Sequence, residues 1–387
     1  MFPPGVPFFL DGRHGFAVDS DGRNLPVPPF PLHHIGAEDG VRMRIVIAGA
    51  GVVGASIAYH LALLGADDVV LAERGEVASG ATGKAMGGVR QQFSTEAEVR
   101  LARESVRFFR ELGRPLFEQV GYLFVATTEA GAARLRERMA IQRELRVPVE
   151  DVDPARVDGL RTDDVVAAGA CWEDGVAEPA EITRELVRRA SERGVDVREN
   201  VDARTIDADV LVVATGTGSP ELWPELPIRP LCRQLVDVGP VDGLPRDLPM
   251  TVEEETGFHF RRRGETLRLA MTEPTPRWTD REEVDEALVE DWRTRLARRY
   301  PRAAGAPVVR AWAGLYDMTP DAHPIIGWVG DRVYAACGFS GHGFMQAPAV
   351  GRAVAEELVH GESELDLSPY RLDRFAEGAV FPETLVL

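Results

Sequence analysis

The feature that most constrains the fold is a glycine-rich turn between an apolar run and a segment of helical periodicity. Residues 43–48 are apolar and partly β-branched, and Gly-Ala-Gly-Val-Val-Gly follows at 49–54. Apolar residues then recur at helical spacing, and a second apolar run at 69–71 ends just before Glu73. This order predicts a strand, a turn, a helix and a strand, the unit with which doubly wound α/β proteins bind dinucleotides.

Each glycine of the turn has its own physical purpose. Gly49 permits the tight turn, Gly51 lets backbone N–H groups approach a pyrophosphate, and Gly54 lets the helix pack closely on the strand. The helix N-terminus then presents its positive dipole end to the phosphates. Glu73 lies where a carboxylate accepts hydrogen bonds from a ribose 2′-OH, and this charge disfavours NADP.

Composition limits the classes of protein to which the chain can belong. Its 387 residues are enough for two domains, and no apolar stretch approaches the 18 residues of a membrane span. The net charge of −18 and the absence of a basic stripe argue against a nucleic-acid partner. Three cysteines without metal-ligand spacing predict neither a metal site nor a disulfide framework, so we expect a reducing, cytoplasmic compartment.

Lys84 is the only lysine in the chain, and nearly all basic residues are arginine. An acidic chain almost free of lysine is typical of proteins kept soluble in concentrated salt, which is one hypothesis for this protein. A GC-rich coding bias that replaces lysine by arginine is the other explanation. Equal stability and activity in low and high salt would contradict the first.

The segment that follows Glu73 is rich in small residues. It carries Arg74, the hydroxyls of Ser79 and Thr82, and the glycines at 87 and 88 before it ends at Arg90. So many small residues indicate a backbone that runs close to a bulky ligand, with the hydroxyls as phosphate donors and Arg90 facing the reactive end. The alternative is a flexible surface loop.

The rest of the chain alternates between helical and extended patterns. Residues 1–42, rich in Pro, Gly and His, lack a signal-peptide pattern and are expected to be a weakly ordered extension, in which His14, His33 and His34 are solvated rather than metal-bound. Short alternating strands at 233–238, 257–261 and 266–271 suggest an antiparallel sheet. Further predictions are helices at 95–111, 129–146, 180–193, 279–300 and 349–359, and strands at 121–127, 147–152, 195–198, 207–216 and 333–337.

Four separated motifs make the chain resemble the FAD-dependent amino-acid and amine oxidoreductases, the family of D-amino-acid oxidase, glycine oxidase and the sarcosine oxidases. They are residues 49–54 with Glu73 and Arg74, the small-residue loop at 79–88, the segment 208–216, and Tyr316 to Asp321 followed by Cys-Gly-Phe-Ser-Gly-His-Gly at 337–343. The likeness covers about 43–375 and is closest to the β-subunit type of sarcosine oxidase and its single-chain relatives.

The resemblance implies an α/β fold: a Rossmann-like FAD-binding domain with a second, antiparallel-sheet (α+β) substrate domain. We expect a discontinuous FAD-binding domain at 43–115, 160–226 and 320–375, and a substrate domain at 116–159 and 227–319. The implied FAD contacts are Gly49, Gly51, Gly54, Glu73, Arg74, Ser79, Thr82, Gly87, Gly88, Val201, Gly216, Gly338, Ser340, Gly341, His342, Gly343 and Phe344.

The implied reaction is transfer of a hydride from the carbon beside an amine nitrogen to the flavin N5, on a sarcosine, glycine, proline or D-amino-acid type of substrate. Arg90, His259, Arg268 and Arg233 are the candidates for contacts with the substrate, although a surface ion pair is the alternative for each arginine. The reaction needs no metal. Electrons would pass to O₂ or to another redox protein.

Departures from the family pattern qualify these expectations. Ala313, Gly314 and Leu315 occupy the stretch where single-chain sarcosine oxidases carry a flavin-linking cysteine, so we expect non-covalent FAD. Arg268 stands where those oxidases use a lysine for the reaction with O₂, and Met345 replaces a basic residue. Two alternatives stay open: an FAD-binding partner or assembly subunit without turnover, and an NAD-dependent dehydrogenase.

Overall fold

The computed structural model describes residues 43–383 and Val386, so the predicted extension at 1–42 lies outside the described part of the chain. The strands, in chain order, are β1 (Ile45–Ala48), β2 (Val69–Glu73), β3 (Gly88–Val89), β4 (Phe117–Glu118), β5 (Tyr122–Ala126), β6 (Val149–Asp151), β7 (Ala167–Cys171), β8 (Gly175–Ala177), β9 (Asp196–Glu199), β10 (Val210–Val213), β11 (Arg229–Val238), β12 (Met250–Glu253), β13 (His259–Arg263), β14 (Thr266–Ala270), β15 (Val308–Met318), β16 (Ile325–Gly330) and β17 (Val333–Cys337). The helices are α1 (Val52–Leu63), α2 (Glu96–Leu112), α3 (Glu129–Glu144), α4 (Pro179–Ser191), α5 (Glu286–Arg299), α6 (Gly343–His360) and α7 (Arg374–Glu377).

A six-stranded sheet forms the first half of the molecule, with the order β16-β17-β10-β1-β2-β9. Its strands are parallel except for the edge strand β16, which pairs antiparallel with β17. All four residues of β1 are buried, as expected for a central parallel strand with both faces covered. Helix α1 packs against α4 and α6, and α2 packs against α6, so these helices bury one face of the sheet.

An eight-stranded sheet forms the second half, with the order β15-β11-β14-β13-β12-β5-β7-β6. Its pairs are antiparallel except for β12 with β5. One face packs on α5 through a core that includes Phe258, Phe260, Trp292 and Tyr300. The opposite face carries Arg233, His259 and Ala270, which line a large cavity.

The predicted Rossmann-like domain and antiparallel second sheet are confirmed by this architecture. The segment 160–226, predicted with the FAD-binding domain, also contributes β7 to the eight-stranded sheet. Strands β3, β8 and β4 form a small third sheet. In the described part of the chain, no helix combines the length and apolar character that a membrane crossing requires.

Two predicted helices have the wrong start. The helix predicted at 279–300 begins at Glu286, because the Asp285 side chain caps it by accepting from the N–H of Ala287 at 2.9 Å. The helix predicted at 349–359 begins earlier, at Gly343, and continues through Pro348. The start of α5 is thus set by a local cap and not by acid–base spacing, and Pro348 does not mark the start of α6.

The packing of α1 on β1 leaves no room for a side chain at Gly54, where an added Cβ would lie 2.0 Å from Gly49 O. We expect Gly54→Ala to lower the free energy of unfolding by roughly 1–3 kcal/mol or to prevent folding, because helix and strand must separate. Thermal and denaturant unfolding of the apoprotein would measure this loss. Gly80→Ala is the control, since an added Cβ there meets nothing within 4 Å; an equal loss in both variants would contradict the packing argument.

Candidate active site

A cavity of about 440 Å³ connects the glycine turn of the parallel sheet with the eight-stranded sheet. Ala48, Glu73 and Ala214, at or just beyond the carboxyl ends of β1, β2 and β10, line one end. This is the edge of an open α/β sheet at which ligands bind. The other end is lined by side chains of the antiparallel sheet, so both halves of the molecule build the same site.

The glycine turn forms a cradle without side chains. Gly49 has a φ of +101° and its added Cβ would lie 2.5 Å from Ala214 O, so only glycine fits there. An added Cβ at Gly51 would meet only Thr82 Oγ1, at 3.2 Å, and Thr82 Oγ1 in turn accepts from Val52 N at 3.1 Å. Helix α1 therefore begins at the cavity wall with an N-terminus that carries no acidic residue in its first turn. Such an end binds phosphate groups.

Glu73 closes the turn from the other side. Its carboxylate accepts from Ala50 N at 2.8 Å and from Gly75 N at 2.9 Å. Val201 donates its N–H to Glu73 O at 2.8 Å, which places Val201 at the same end of the cavity. Arg74 pairs with Glu221 at 2.7 Å on the exposed rim.

The loop after β17 is shaped by backbone conformations that favour glycine. Gly338 and Gly341 have φ angles of +74° and +94°, and an added Cβ at Gly341 would lie 2.2 Å from the Tyr316 ring. The Asp317 carboxylate accepts from Gly338 N at 2.7 Å. The buried Ser340 hydroxyl accepts from Thr319 N at 3.1 Å. These contacts aim the N-terminus of α6 at the cavity, which residues 341–344 line.

Five side chains converge at the end of the cavity farthest from the glycine turn: Arg90, Tyr122, Arg233, His259 and Tyr316. The Arg90 guanidinium is buried, lies 4.0 Å from the centre of the Phe93 ring and donates to Gln92 O. Arg233 Nη1 lies 3.5 Å from Glu273 Oε2, and its Nε has no hydrogen-bond partner among the residues that the structure describes. An arginine so placed binds a ligand anion well.

His259 is held in one tautomer. Its Nδ1 lies 2.7 Å from Gly257 O, so Nδ1 carries the proton and Nε2 is left as an acceptor. Burial lowers the pKa of His259 to about 4, and the imidazole is therefore neutral at pH 7. The side chain lines the cavity as a polar, uncharged group.

The structure brings most of the predicted site residues to this cavity but not all of them. Arg268, predicted to contact the substrate, does not line it: its guanidinium forms a double hydrogen bond with Asp237 at 2.9 and 3.1 Å. Gly54, Gly338 and Ser340 lie behind the wall and shape it through packing and hydrogen bonds. The predicted residues that do line the cavity are Gly49, Gly51, Glu73, Arg74, Ser79, Thr82, Gly87, Gly88, Arg90, Val201, Gly216, Arg233, His259, Gly341, His342, Gly343 and Phe344.

Sequence reasoning missed several residues of the wall. Tyr122 lies in the strand predicted at 121–127, whereas Met250 lies in β12, which was not predicted. Both line the cavity, and nothing local distinguishes them from core residues. Glu282, which pairs with Lys84 at 2.5 Å, fell inside the overlong predicted helix. Tyr316 and Asp317 lay within a quoted motif, which was the available signal. No cluster of three or more His, Cys, Asp or Glu side chains suited to a metal occurs within 43–383 or at Val386.

A family model described as FAD dependent oxidoreductase matches residues 44–357, which is most of the chain. The chain belongs to the FAD dependent oxidoreductase family. This confirms the resemblance drawn from the four motifs, and the cofactor is FAD.

Individual proteins and a solved structure of this kind are also similar to the chain. FAD-dependent oxidoreductase domain-containing protein 1 of Bos taurus is 28% identical, over 97% of this chain and 96% of that protein. Mitochondrial sarcosine dehydrogenase of Homo sapiens is 25% identical, over 95% of this chain and 44% of that protein. The solved L-proline dehydrogenase from P. horikoshii is 27% identical, with a TM-score of 0.81 over 88% of this chain and 99% of that one.

The residues of the cavity fit FAD on structural grounds alone. The glycine cradle and the α1 N-terminus suit a pyrophosphate, and the Glu73 carboxylate suits ribose hydroxyls. The second helix N-terminus, that of α6, offers a positive dipole end to the other half of the cofactor. The cavity joins these three features without interruption.

The buried Asp317 carboxyl predicts that FAD binding depends on pH. Burial raises the pKa of its carboxyl to about 6, although N–H groups of the 338–340 loop oppose this shift. As pH falls through 6 the carboxylate gains a proton and loses its charge-assisted bond to Gly338, so we expect FAD affinity to fall roughly tenfold between pH 7.5 and 5. Fluorescence titration of the apoprotein with FAD at each pH would measure this change in affinity. Asp317→Asn should show weak affinity without this step, and an unchanged pH profile in that variant would contradict the assignment.

Proposed function

We propose that the protein oxidises the C–N bond of a small amine or amino acid, of the sarcosine, glycine, proline or D-amino-acid type, with bound FAD as the hydride acceptor. The observation that carries this proposal is the convergence of Arg90, Arg233, His259 and two tyrosines at the far end of the FAD cavity. When bound, FAD supplies the two-electron acceptor. The protein itself must bind and orient the amine.

Arg233 is the group best suited to hold a substrate carboxylate. Its side chain is about 11% exposed, and Glu273 satisfies it only through a 3.5 Å contact. Glu273 is itself bound to Arg277 at 2.6 Å, so its charge is shared between two cations. Arg233 thus retains donors for an anion, and a planar guanidinium matches a carboxylate in a bidentate manner.

His259 and the tyrosines define the rest of the pocket. The neutral His259 Nε2 can accept a hydrogen bond from a substrate N–H without repelling its positive charge. The rings of Tyr122 and Tyr316, together with Met250, exclude water and hold the substrate in one orientation. Fixed orientation in a dry pocket is the main contribution that this chemistry needs from the protein.

The names of relatives support this class of substrate. Sarcosine dehydrogenase, 4-methylaminobutanoate oxidase from Paenarthrobacter nicotinovorans and L-proline dehydrogenase are all named for secondary amines that carry a carboxylate. A secondary amino acid is therefore the substrate type that we would test first. Arg233 and His259 are the residues of this chain that such a substrate would meet.

We also propose that FAD is bound non-covalently. Cys337 lies in the cavity wall, and burial raises its pKa to about 12, which leaves the thiol protonated and a poor nucleophile. Whether O₂ or a redox protein accepts the electrons is a separate question. The ion pair of Arg268 with Asp237 supports an acceptor other than O₂, since it removes this cation from the cavity wall.

Anaerobic visible spectroscopy of the FAD-loaded protein tests the proposal. We expect sarcosine, L-proline, glycine or D-alanine to bleach the flavin bands, and admission of air then separates an oxidase from a dehydrogenase. Bands that no small amine bleaches would overturn the enzymatic proposal in favour of an FAD-binding partner or assembly subunit.

Arg233→Met tests the carboxylate contact with whichever substrate is found. Loss of a charged hydrogen-bond donor should raise KM by about 10- to 100-fold while FAD remains bound. Steady-state kinetics would compare the rise in KM for the amino acid with the rise in KM for its decarboxylated amine, which lacks the carboxylate. Arg302→Met, on the exposed pair with Asp158, is the control. An equal rise in KM for both substrates would contradict a contact between Arg233 and the substrate carboxylate.

A further inference from the structure

Four consecutive backbone carbonyls of the small-residue loop each accept a hydrogen bond from a residue of a neighbouring sheet. The oxygens of Lys84, Ala85, Met86 and Gly87 face, in turn, Trp312 Nε1 at 3.0 Å, Arg268 Nη1 at 3.5 Å, Arg261 Nε at 2.7 Å and Ala177 N at 2.8 Å. Loops of small residues are normally free to turn their peptide planes. This one has its planes fixed by the neighbouring sheets.

The three side-chain donors share one face of the eight-stranded sheet. Arg261 and Arg268 are paired residues of β13 and β14, and the Arg268 guanidinium lies 4.7 Å from the centre of the Trp312 ring. Each arginine is anchored in turn: Arg261 Nη2 donates to Glu178 Oε1 at 2.6 Å, and Arg268 is held by Asp237. Their buried positions, 3% and 5% exposed, leave them little freedom to leave the loop.

Fixed carbonyls determine where the neighbouring N–H groups point. The peptide bonds of this loop are trans, so each C=O is antiparallel to the N–H of the next residue. The N–H groups of Met86 and Gly87 are therefore directed away from Arg268 and Arg261. Both residues line the cavity.

The position along the cavity identifies the part of the cofactor that these N–H groups meet. Thr82, upstream, contacts the first turn of α1, where phosphates bind. Gly88, downstream, lies against the Tyr122 side chain, and Arg90 follows at the substrate end. Residues 86 and 87 lie between the two ends, where they would meet the isoalloxazine ring of bound FAD.

We propose that Arg261, Arg268 and Trp312 are positioning residues that aim the Met86 and Gly87 N–H groups at the isoalloxazine ring and thereby raise the reduction potential of bound FAD. Two N–H dipoles fixed toward the ring stabilise the negative charge that it gains on reduction. The ion pairs behind the loop act in the same direction, because among the described residues they join three cations, Arg261, Arg263 and Arg268, to two carboxylates, Glu178 and Asp237. This inference rests on FAD binding at the proposed site but not on any substrate.

Two variants remove one donor each. Arg261→Met, combined with Glu178→Gln so that no unpaired charge is left buried, deletes the bond to Met86 O. Trp312→Phe deletes the indole N–H and keeps an aromatic ring beside Arg268 and Arg310, whose guanidiniums both lie 4.7 Å from the centre of the Trp312 ring. The midpoint potential of the FAD-loaded protein, measured against a redox dye, is the principal readout, and the Kd for FAD is the second.

We expect the dye–flavin equilibrium constant to shift about tenfold toward oxidised flavin in the Arg261→Met/Glu178→Gln protein, about 30 mV for two electrons. Trp312→Phe should shift it in the same direction by roughly threefold. The control is Arg302→Met/Asp158→Asn, because it also removes one ion pair without changing the net charge, but that pair is exposed and makes no bond to the loop. This control should keep the wild-type potential.

A wild-type potential in folded Arg261→Met/Glu178→Gln protein would overturn the proposal, as would a control that shifts equally. If that double variant does not fold, Trp312→Phe decides alone, and an unchanged potential in it has the same consequence. No amine enters the measurement. Failure of every amine to bleach the flavin would therefore refute the proposed enzymatic function and leave this result unaffected.

Discussion

The close approach of α1 to β1 at Gly49 and Gly54 is the constraint on which the rest of the structure depends. With 2.0 Å between an added Cβ at Gly54 and Gly49 O, no other residue allows the helix to start where it does. That start places the α1 N-terminus at the carboxyl end of the parallel sheet, beside Glu73 and Ala214. Cofactor binding therefore depends on a backbone contact inside the fold.

The two sheets contribute different kinds of groups to the site. The parallel sheet contributes strand ends and helix N-termini, which bind charge through backbone groups, whereas the antiparallel sheet contributes one face of side chains. Arg233 and His259 project from that face toward the substrate end, and Arg261 and Arg268 project from it toward the small-residue loop. In the roles that we propose, one face thus serves both substrate binding and loop positioning. The residues with these two roles lie only a few positions apart.

Much of the fold and of the cofactor end of the cavity can be predicted from the sequence, because local sequence patterns specify these parts. The glycine turn, Glu73 and the alternating strands specify their elements through steric limits and hydrophobic periodicity, and the structure has them where they were expected. The substrate side was harder to predict. Arg90, Arg233, Arg261 and Arg268 are all buried or nearly buried arginines in strands or at their ends, and no local pattern tells a ligand contact from an internal ion pair. Arg268 was expected in the pocket because the resemblance places its strand around the flavin, and Arg261 was not considered.

The sequence by itself determined the class of fold, the family and the cofactor, since the glycine turn, the carboxylate of Glu73 and three further motifs in the same order leave few alternatives. Only the tertiary structure decided which charged side chains meet the ligand. The physical reason is that an arginine is directed by its partner: Asp237 holds Arg268 away from the cavity, whereas Glu273, shared with Arg277, leaves Arg233 with donors to spare. Those partners lie 31 and 40 residues away along the chain and become neighbours only when the strands pair.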